Sequence, residues 1–317
     1  MTNVLLLLNF PEETQKQYYQ PLKSAFPELN INLVAHHSQA APYTAGAEIL
    51  MTFGPMLTDQ LIQQATQLKW IQALGTGVDN LADLPSLRPE VIITNIHGIH
   101  GPAMSESAIM SMLALSKNFP RIARNQIERV WQRWPSRLLD GKTLGIFGIG
   151  AIAEALASRC KPLGMRIIGI SSTKRQVANF DQVYGREELT SAAAEVDHFV
   201  ILTPYTPDTK NIVNARVLAA MKPTAYLINL ARGGVVDEQA LISALETGQI
   251  AGAALDVFNT EPLPADHPFW SMENVIVTPH LGGYNDQYAS QAMPVITENI
   301  RRFLAGRTTE LINLVKR

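Results

Sequence analysis

The sequence predicts an α/β protein built on two doubly wound parallel sheets. Short apolar runs alternate with longer amphipathic segments along the 317 residues, which is the pattern of parallel strands joined by crossover helices. The runs fall into two series, separated by a long stretch without a strand pattern, and each series is sufficient for one open sheet. A composition of 46% hydrophobic and 17% charged residues indicates a chain with substantial cores.

The strand predictions follow the apolar runs in chain order. In the first series they are VLLLLN (4–9), INLVA (31–35), EILMTF (48–53), KWIQAL (69–74) and VIITN (91–95). In the second series they are TLGIFG (143–148), MRIIGI (165–170), HFVILT (198–203), AYLINL (225–230), AGAALDV (251–257) and NVIVT (274–278). A near-continuous apolar run bounded by polar residues indicates a strand that is buried on both faces.

A helical region is predicted between the two series, from Pro102 to Trp134, opening at Ser105. Its later half interleaves arginines with apolar residues: Arg121, Arg124, Arg129 and Arg133 with Ile122, Ile127, Val130 and Trp131. One interpretation is a solvated basic face on an amphipathic helix. The other is a contact with a second subunit through Trp131 and Trp134. A final helix is predicted over residues 289–304.

Charge, hydropathy and cysteine content exclude several classes of function. A net charge of −2 and a pI near 6.4 predict no general attraction to nucleic acid or to an anionic membrane. The apolar run Val4–Leu8 is too short for a signal peptide, and no stretch is suited to span a bilayer. The single cysteine, Cys160, excludes an internal disulfide and is predicted to be a core residue of a cytoplasmic protein. No His/Cys spacing indicates a metal site.

The segment GIFGIGAIAEALASRC has the glycine spacing of a dinucleotide-binding turn. Gly148 suits the tight turn, Gly150 lets a pyrophosphate approach the backbone, and the small Ala153 lets the helix pack on the strand. The pyrophosphate would lie on the first amides of the helix, those of Ala151 and Ile152. A glycine triplet also occurs in plain structural turns, but the strand–turn–helix context favours a dinucleotide site.

The next predicted strand ends without the acid that an NAD site usually carries. Ser171 lies 21 residues after the second glycine, where a carboxylate would bind the ribose 2′-hydroxyl. Ser171, Ser172 and Thr173 offer neutral donors there, and Lys174 and Arg175 offer charges that could pair with a 2′-phosphate. We therefore predict NADP(H) as the preferred cofactor, with NAD(H) as the alternative. The competing interpretation is that both cations are solvated loop charges.

Three polar residues, Arg232, Glu261 and His280, follow three successive predicted strands. Because parallel strands end at one edge of a sheet, we expect the three side chains to converge. Each alone could be a turn or cap residue. Together they predict that His280, held protonated by Glu261, donates a proton to a substrate, while Arg232 binds a carboxylate and polarises the adjacent carbonyl.

These segments resemble the D-isomer-specific 2-hydroxyacid dehydrogenases, the family of glyoxylate and hydroxypyruvate reductases. The resemblance implies a flavodoxin-like substrate domain, residues 1–98 and 286–317, into which a Rossmann nucleotide domain, residues 99–285, is inserted. The segments that carry it are WIQALGTGVDNL (70–81), NIHGIHGPAMSESA (95–108), the glycine turn, LTPYTPDTKNIVN (202–214), NLARGGVVDEQALISALETGQIAGAALDVFNTEPLP (229–264) and TPHLGGY (278–284).

The resemblance also implies further residue roles and a homodimer through the nucleotide domain. Thr203 and Pro204 would lie beside the adenosine half of the cofactor, and Asp256 would bind the nicotinamide carboxamide. The backbone amides of Gly75, Thr76 and Gly77 could hold the substrate carboxylate from the other domain, the alternative being a loop without a ligand. NADPH-preferring relatives often have arginine where this chain has Ser172, so the phosphate would depend on the two cations that follow.

Two functions remain open at this point. The first is NADPH-dependent reduction of small 2-oxo acids, such as glyoxylate or hydroxypyruvate, to D-2-hydroxy acids. The second is an NAD(P)-sensing binding protein, similar to the transcriptional corepressors that share this fold. The arginine, glutamate and histidine do not separate the two, because such corepressors can keep all three.

Overall fold

Two parallel sheets organise the chain, and each belongs to a separate unit. The computed structural model describes residues 1–78 and 81–316. One unit comprises Met1–Ile99 and Asp286–Arg317, and the other comprises His100–Asn285. The predicted α/β class with two doubly wound sheets is confirmed. Asp79 and Asn80 of the WIQALGTGVDNL motif, like the carboxyl-terminal residue of the predicted substrate domain, lie outside the described residues.

The first unit has a five-stranded sheet in the order β2-β1-β3-β4-β5, which is the flavodoxin-like order. Its strands are β1 (Asn3–Leu7), β2 (Asn30–Val34), β3 (Ile49–Thr52), β4 (Trp70–Ala73) and β5 (Ile92–Thr94). Its α-helices are α1 (Glu12–Ala25), α2 (Ala41–Thr44), α3 (Asp59–Gln64) and, from the other end of the chain, α10 (Tyr288–Leu304). Apolar side chains of α1 and α10 pack in one core against β1, β3 and β4.

The second unit has a seven-stranded parallel sheet in the order β12-β11-β10-β9-β6-β7-β8. Its strands are β6 (Thr143–Phe147), β7 (Arg166–Ser171), β8 (Gln182–Gly185), β9 (His198–Ile201), β10 (Tyr226–Asn229), β11 (Gly252–Leu255) and β12 (Val275–Val277). Its α-helices are α4 (Gly101–Lys117), α5 (Phe119–Glu128), α6 (Ala151–Cys160), α7 (Leu189–Glu195), α8 (Ala215–Ala220) and α9 (Glu238–Glu246). The strand order reverses between β6 and β9, which is where doubly wound sheets bind ligands at their carboxyl edge.

The helical region between the two strand series differs from the prediction. The helix α4 begins at Gly101, with Pro102 in its first turn, so Ser105 lies inside the helix. The Ser105 hydroxyl donates to the Gly101 and Pro102 carbonyls at 2.6 and 2.9 Å. The left-handed Asn118 (φ 53°) separates α4 from α5, and α5 ends at Glu128. The predicted opening at Ser105 and the continuation to Trp134 are therefore wrong.

The segment around α5 exposes both apolar side chains and arginines. The Ile127 side chain is 82% exposed and that of Trp131 is 93% exposed. The Arg121 guanidinium lies 4.6 Å from the centre of the Trp134 ring, and Arg124 is paired with a glutamate. Two further arginines of this segment are exposed, so the solvated basic face and the contact with a second subunit both stay predictions.

The interior of the second unit contains the single cysteine. Cys160 is fully buried at the end of α6, as the sequence predicted. Burial raises the pKa of its thiol to about 12, so the thiol is not ionised at neutral pH.

In the described ranges, 1–78 and 81–316, we find no helix with the length and apolar character needed to cross a membrane.

Candidate active site

Arg232, Glu261 and His280 lie in loops that follow neighbouring strands of the second unit. The strands β10, β11 and β12 are adjacent in the sheet and parallel, so their carboxyl ends lie at the same edge. The loop after β10 carries Arg232, the loop after β11 carries Glu261, and the loop after β12 carries His280. Residues distant in sequence are therefore brought to one edge by the sheet itself.

The imidazole of His280 is paired with the carboxylate of Glu261. The distance from Nδ1 to Oε2 is 2.8 Å, and the other carboxylate oxygen accepts a hydrogen bond of 2.9 Å from the Phe258 amide. Burial alone would raise the pKa of Glu261. The hydrogen bonds from His280 and Phe258, with the positive charges of His280 and Arg232, outweigh burial and lower that pKa. An ionised Glu261 therefore accepts from Nδ1 and leaves Nε2 for proton transfer.

The turn that carries Arg232 is shaped by Asn229, the buried last residue of β10. The side-chain amide of Asn229 donates to the Arg232 carbonyl at 3.0 Å, and its oxygen accepts from the Ala231 amide at 3.1 Å. The Arg232 guanidinium donates to the Ala231 carbonyl at 2.7 Å. A role for Asn229 was not predicted from the sequence. Its signal is an asparagine directly before a tight turn, where its side chain can bind the local backbone.

Gly233 brings the arginine loop against the glutamate loop. A Cβ atom at this position would overlap the backbone of Phe258 and Asn259. Only glycine therefore permits this approach. Since the Phe258 amide also binds Glu261, the two loops hold the arginine and the glutamate in a fixed relation.

Asp256 holds the loop that carries His280. Its carboxylate, 3% exposed, accepts three hydrogen bonds. The donors are the Thr278 hydroxyl at 2.6 Å and the Leu281 and Gly282 amides at 2.8 Å each. The Asp256 carbonyl accepts from the His280 amide at 2.9 Å. His280 has left-handed backbone (φ 54°), a conformation that this network maintains. A contact between Asp256 and a nicotinamide stays a prediction.

The glycine turn between β6 and α6 fits a dinucleotide. Gly148 has φ 101°, and a Cβ there would lie 2.5 Å from the Thr203 amide nitrogen. A Cβ at Gly150 would meet no atom within 4 Å, and no side chain caps the helix that begins at Ala151. This open space lies before the amides of Ala151 and Ile152, where a helix amino terminus favours an anion. The third position, Ala153, is fully buried, as close helix–strand packing requires.

The loop after β7 gives both predicted cations protein partners. The Lys174 ammonium lies 2.6 Å from an oxygen of Glu188, and the Arg175 guanidinium donates to the Ile149 carbonyl at 3.1 Å. The Ser171 hydroxyl accepts a long hydrogen bond of 3.4 Å from the Thr173 amide. Neither partner was predicted from the sequence. Glu188 lies after β8, a strand that was not predicted.

The other predicted binding residues lie at strand ends of the two units. Thr203 is buried and Pro204 exposed in the loop after β9. Gly75–Gly77 lies in the first unit, after β4, where the Thr76 hydroxyl donates to the Ile96 carbonyl at 2.8 Å. The Thr76 carbonyl accepts from the Asn95 side chain at 2.7 Å, so this loop is anchored to the end of β5. The roles of these residues stay predictions.

The strand order, the glycine turn and the uncapped helix start together define a Rossmann-type dinucleotide-binding unit. Residues 109–282 match the family described as D-isomer specific 2-hydroxyacid dehydrogenase, NAD binding domain. This match covers more than half of the 317 residues. The chain belongs to the D-isomer specific 2-hydroxyacid dehydrogenase family, as the motifs predicted.

Individual relatives place the chain within this family. It is 36% identical over 261 residues to a D-3-phosphoglycerate dehydrogenase of Synechocystis sp., covering 81% of this chain and 47% of that protein. The chain spans about half the length of such dehydrogenases. A solved family structure from Aeromonas salmonicida has a TM-score of 0.89 and 35% identity, covering 100% of this chain and 99% of the other.

A second solved structure is a neighbour with bound cofactor. The NADPH-dependent glyoxylate/hydroxypyruvate reductase from Sinorhizobium meliloti, in complex with NADP and sulfate, has a TM-score of 0.84 and 28% identity to this chain. The match covers 100% of this chain and 98% of that protein. The similarity therefore extends over both units.

Proposed function

We propose that this protein is an NADPH-dependent reductase that converts small 2-oxo acids, such as glyoxylate or hydroxypyruvate, to D-2-hydroxy acids. The observation that carries the proposal is the 2.8 Å pair of His280 and Glu261, with Arg232 on the adjacent loop, in a chain of this dehydrogenase family. The name of the Sinorhizobium meliloti reductase supports the choice of substrates and cofactor.

His280 acts as the proton donor in this proposal. Dihydronicotinamide, when bound, supplies the hydride to the carbonyl carbon of the substrate. The oxygen then gains negative charge, and Nε2 of His280 donates a proton to it. Glu261 accepts from Nδ1, which fixes the ring and stabilises the imidazolium before transfer. The carboxylate therefore acts through the histidine.

Arg232 binds and polarises the substrate. Its planar guanidinium can pair with the substrate carboxylate through two parallel hydrogen bonds and withdraw electron density from the neighbouring carbonyl. The hydrogen bonds of the Asn229 side chain and the close contact at Gly233 fix the turn that carries this arginine. We also propose that the amides of Gly75–Gly77, in a substrate domain formed by residues 1–98 and 286–317, bind substrate.

The nucleotide domain holds the cofactor through its glycine turn. Gly148, Gly150 and the amides of Ala151 and Ile152 would bind the pyrophosphate. The residues Ser171–Arg175 would face the adenosine ribose, and Thr203, Pro204 and Asp256 would complete the site. NADPH is the proposed preference because no carboxylate stands at the end of β7, where it would repel a 2′-phosphate.

The oligomeric state, the partners and the location of the enzyme are also proposals. We propose a homodimer through the nucleotide domain, which the exposed Ile127 and Trp131 support, because large exposed apolar side chains in one segment favour a protein contact. The proposed partners are thus a small acid and a second copy of the chain. The proposed location is the cytoplasm.

The test is the initial rate of NADPH and of NADH oxidation by the purified protein. The substrates are glyoxylate, hydroxypyruvate, pyruvate and a phenyl-substituted 2-oxo acid. We expect turnover with at least one of the small acids and a lower KM for NADPH than for NADH. Dinucleotide binding without turnover of any of the four would refute the enzyme proposal and favour the nucleotide-sensing protein.

A further inference from the structure

An acidic side chain from β8 lies next to the loop that follows β7. The two strands are paired in parallel, with Ser171 opposite Gly185, so both end at the same level. The turn Arg186–Glu188 then starts beside the loop formed by Ser171–Arg175. The strand β7 ends without an acidic residue, but Glu188, which follows the paired strand β8, lies near that end.

Glu188 is held in place by the backbone and by Lys174. Its Oε2 accepts a hydrogen bond of 2.8 Å from the Gly185 amide and lies 2.6 Å from the Lys174 ammonium. These two hydrogen bonds, with that from Lys174 the larger, lower the pKa of Glu188. The hydrogen bond that Lys174 donates to Glu188 raises the pKa of Lys174. At neutral pH the pair therefore consists of two full charges.

The two cations of the loop differ in what they are bound to. Arg175 donates to the Ile149 carbonyl inside the glycine turn, and this contact links the loop to that turn. The Lys174 side chain is 55% exposed and its carboxylate partner is 35% exposed, so competing anions and salt can replace this contact. A 2′-phosphate presents the same kind of negative oxygen to an ammonium group.

We propose that Glu188 is a specificity-determining residue for the cofactor, because it competes with the 2′-phosphate of NADP(H) for Lys174. The inference rests on the proposed function and deepens it. NADPH must replace the carboxylate as the partner of Lys174 and approach a like charge, whereas NADH leaves the pair intact. Glu188 therefore limits the preference for NADPH over NADH that the loop provides.

The test compares dissociation constants of NADPH and NADH, measured through dihydronicotinamide fluorescence. In Glu188→Gln the amide oxygen can still accept from Gly185, but the charge is removed. We expect the dissociation constant of NADPH to fall about fivefold and that of NADH to change less than about twofold, since exposed charge pairs have modest energies. Lys174→Gln should weaken NADPH binding and leave NADH binding unchanged.

The matched control is Glu187→Gln. It removes the same charge one residue earlier and leaves the pair of Lys174 and Glu188 in place. We expect its ratio of the two dissociation constants to stay within about twofold of the wild-type ratio. An unchanged ratio in Glu188→Gln, or an equal change in Glu187→Gln, would overturn the inference.

The same measurements separate this inference from the proposed function. A wild-type protein that binds neither dinucleotide, or binds both without reducing any 2-oxo acid, contradicts the proposed function. A wild-type protein that binds and turns over, with an unchanged ratio in Glu188→Gln, contradicts only the role of Glu188. Because NADH binding reports a folded site in every variant, loss of folding cannot imitate the expected result.

Discussion

The loops after β10–β12 and the loops after β6–β8 lie at the same edge of one sheet, but they hold their charged groups differently. On the first side, that of β10–β12, Arg232 and the pair of Glu261 and His280 are held by backbone amides, the buried carboxylate of Asp256 and a close glycine contact. On the second side, Lys174 is held by one partly exposed ion pair. Several contacts thus fix the geometry where we propose that a proton is transferred, whereas one ion pair holds the cation where we propose that the cofactor is selected.

The largest expected effect is on the first side, in His280→Gln. Losing the proton donor should lower kcat for 2-oxo acid reduction by about 10²–10⁴-fold, or about 3–5 kcal/mol in the barrier. The dissociation constant of NADPH should stay the same. Steady-state kinetics and fluorescence titration measure the two quantities. A loss below tenfold would show that another group donates the proton.

The matched pair Gly148→Ala and Gly150→Ala tests the second side. Gly148 has φ 101° and a backbone neighbour 2.5 Å from an added Cβ, so the first change should reduce the free energy of unfolding by about 3 kcal/mol. Gly150 is extended and has open space, so the second should leave stability unchanged and weaken dinucleotide binding. Urea unfolding and titration with NADPH measure both. Equal stability of the two variants would contradict the geometry of the turn.

The strand β9, between β10 and β6, separates the two groups of loops and begins with the buried His198. Burial, the largest cause, lowers the pKa of His198 from 6.5 to about 4, so its imidazole is neutral in the native protein. As pH falls from about 6.5 to about 4, the unfolded chain binds a proton that the native protein does not. The free energy of unfolding should therefore decrease by about 3 kcal/mol over this window, and this contribution is constant outside it.

The check is urea unfolding at several pH values for the wild type and for His198→Phe. Phenylalanine can keep the ring packing against Tyr226 but cannot bind a proton. The pH dependence should be smaller in the variant by about 3 kcal/mol, whatever its stability at neutral pH. Identical pH dependences would show that the pKa of His198 is the same in the native and unfolded states.

A smaller effect is expected for Glu261→Gln, which tests whether the carboxylate stabilises the imidazolium of His280 or only orients its ring. The amide can still orient the ring but stabilises an imidazolium less, so kcat should fall about tenfold, or about 1.4 kcal/mol. The alkaline limb of the kcat profile should move to lower pH. A lower kcat with an unchanged profile would mean that Glu261 only positions the ring.

The positions of the charged residues on the first side could be predicted from the sequence, because they depend only on where the strands end and on residue type. Arg232, Glu261 and His280 each follow a strongly apolar run, and parallel pairing places such ends together. Asn229 and Gly233 were not predicted, because their roles depend on contacts within and between loops that no periodic pattern encodes.

The second side was predicted less completely, for a different physical reason. The strand β8, QVYG, lies at the edge of the sheet and is mostly polar and partly exposed, so it shows no apolar run. Without β8, the register that places Gly185 opposite Ser171 could not be inferred, nor could the partner of Lys174. The break at Asn118 was also missed, because a single left-handed residue separates α4 from α5.

The first unit is assembled from both ends of the chain, and this affects the order in which the two units can fold. Asn299 of α10 is fully buried and donates to the Gln72 side chain of β4 at 3.1 Å. Because α10 follows β6–β12 in the chain, the ribosome completes the second sheet before it makes the helix that packs on β1–β5. The second sheet can therefore fold first. Hydrogen exchange on a purified chain truncated after residue 285 should show protection in β6–β12 and little in β1–β5. Equal protection would mean that the first unit folds without its last helix.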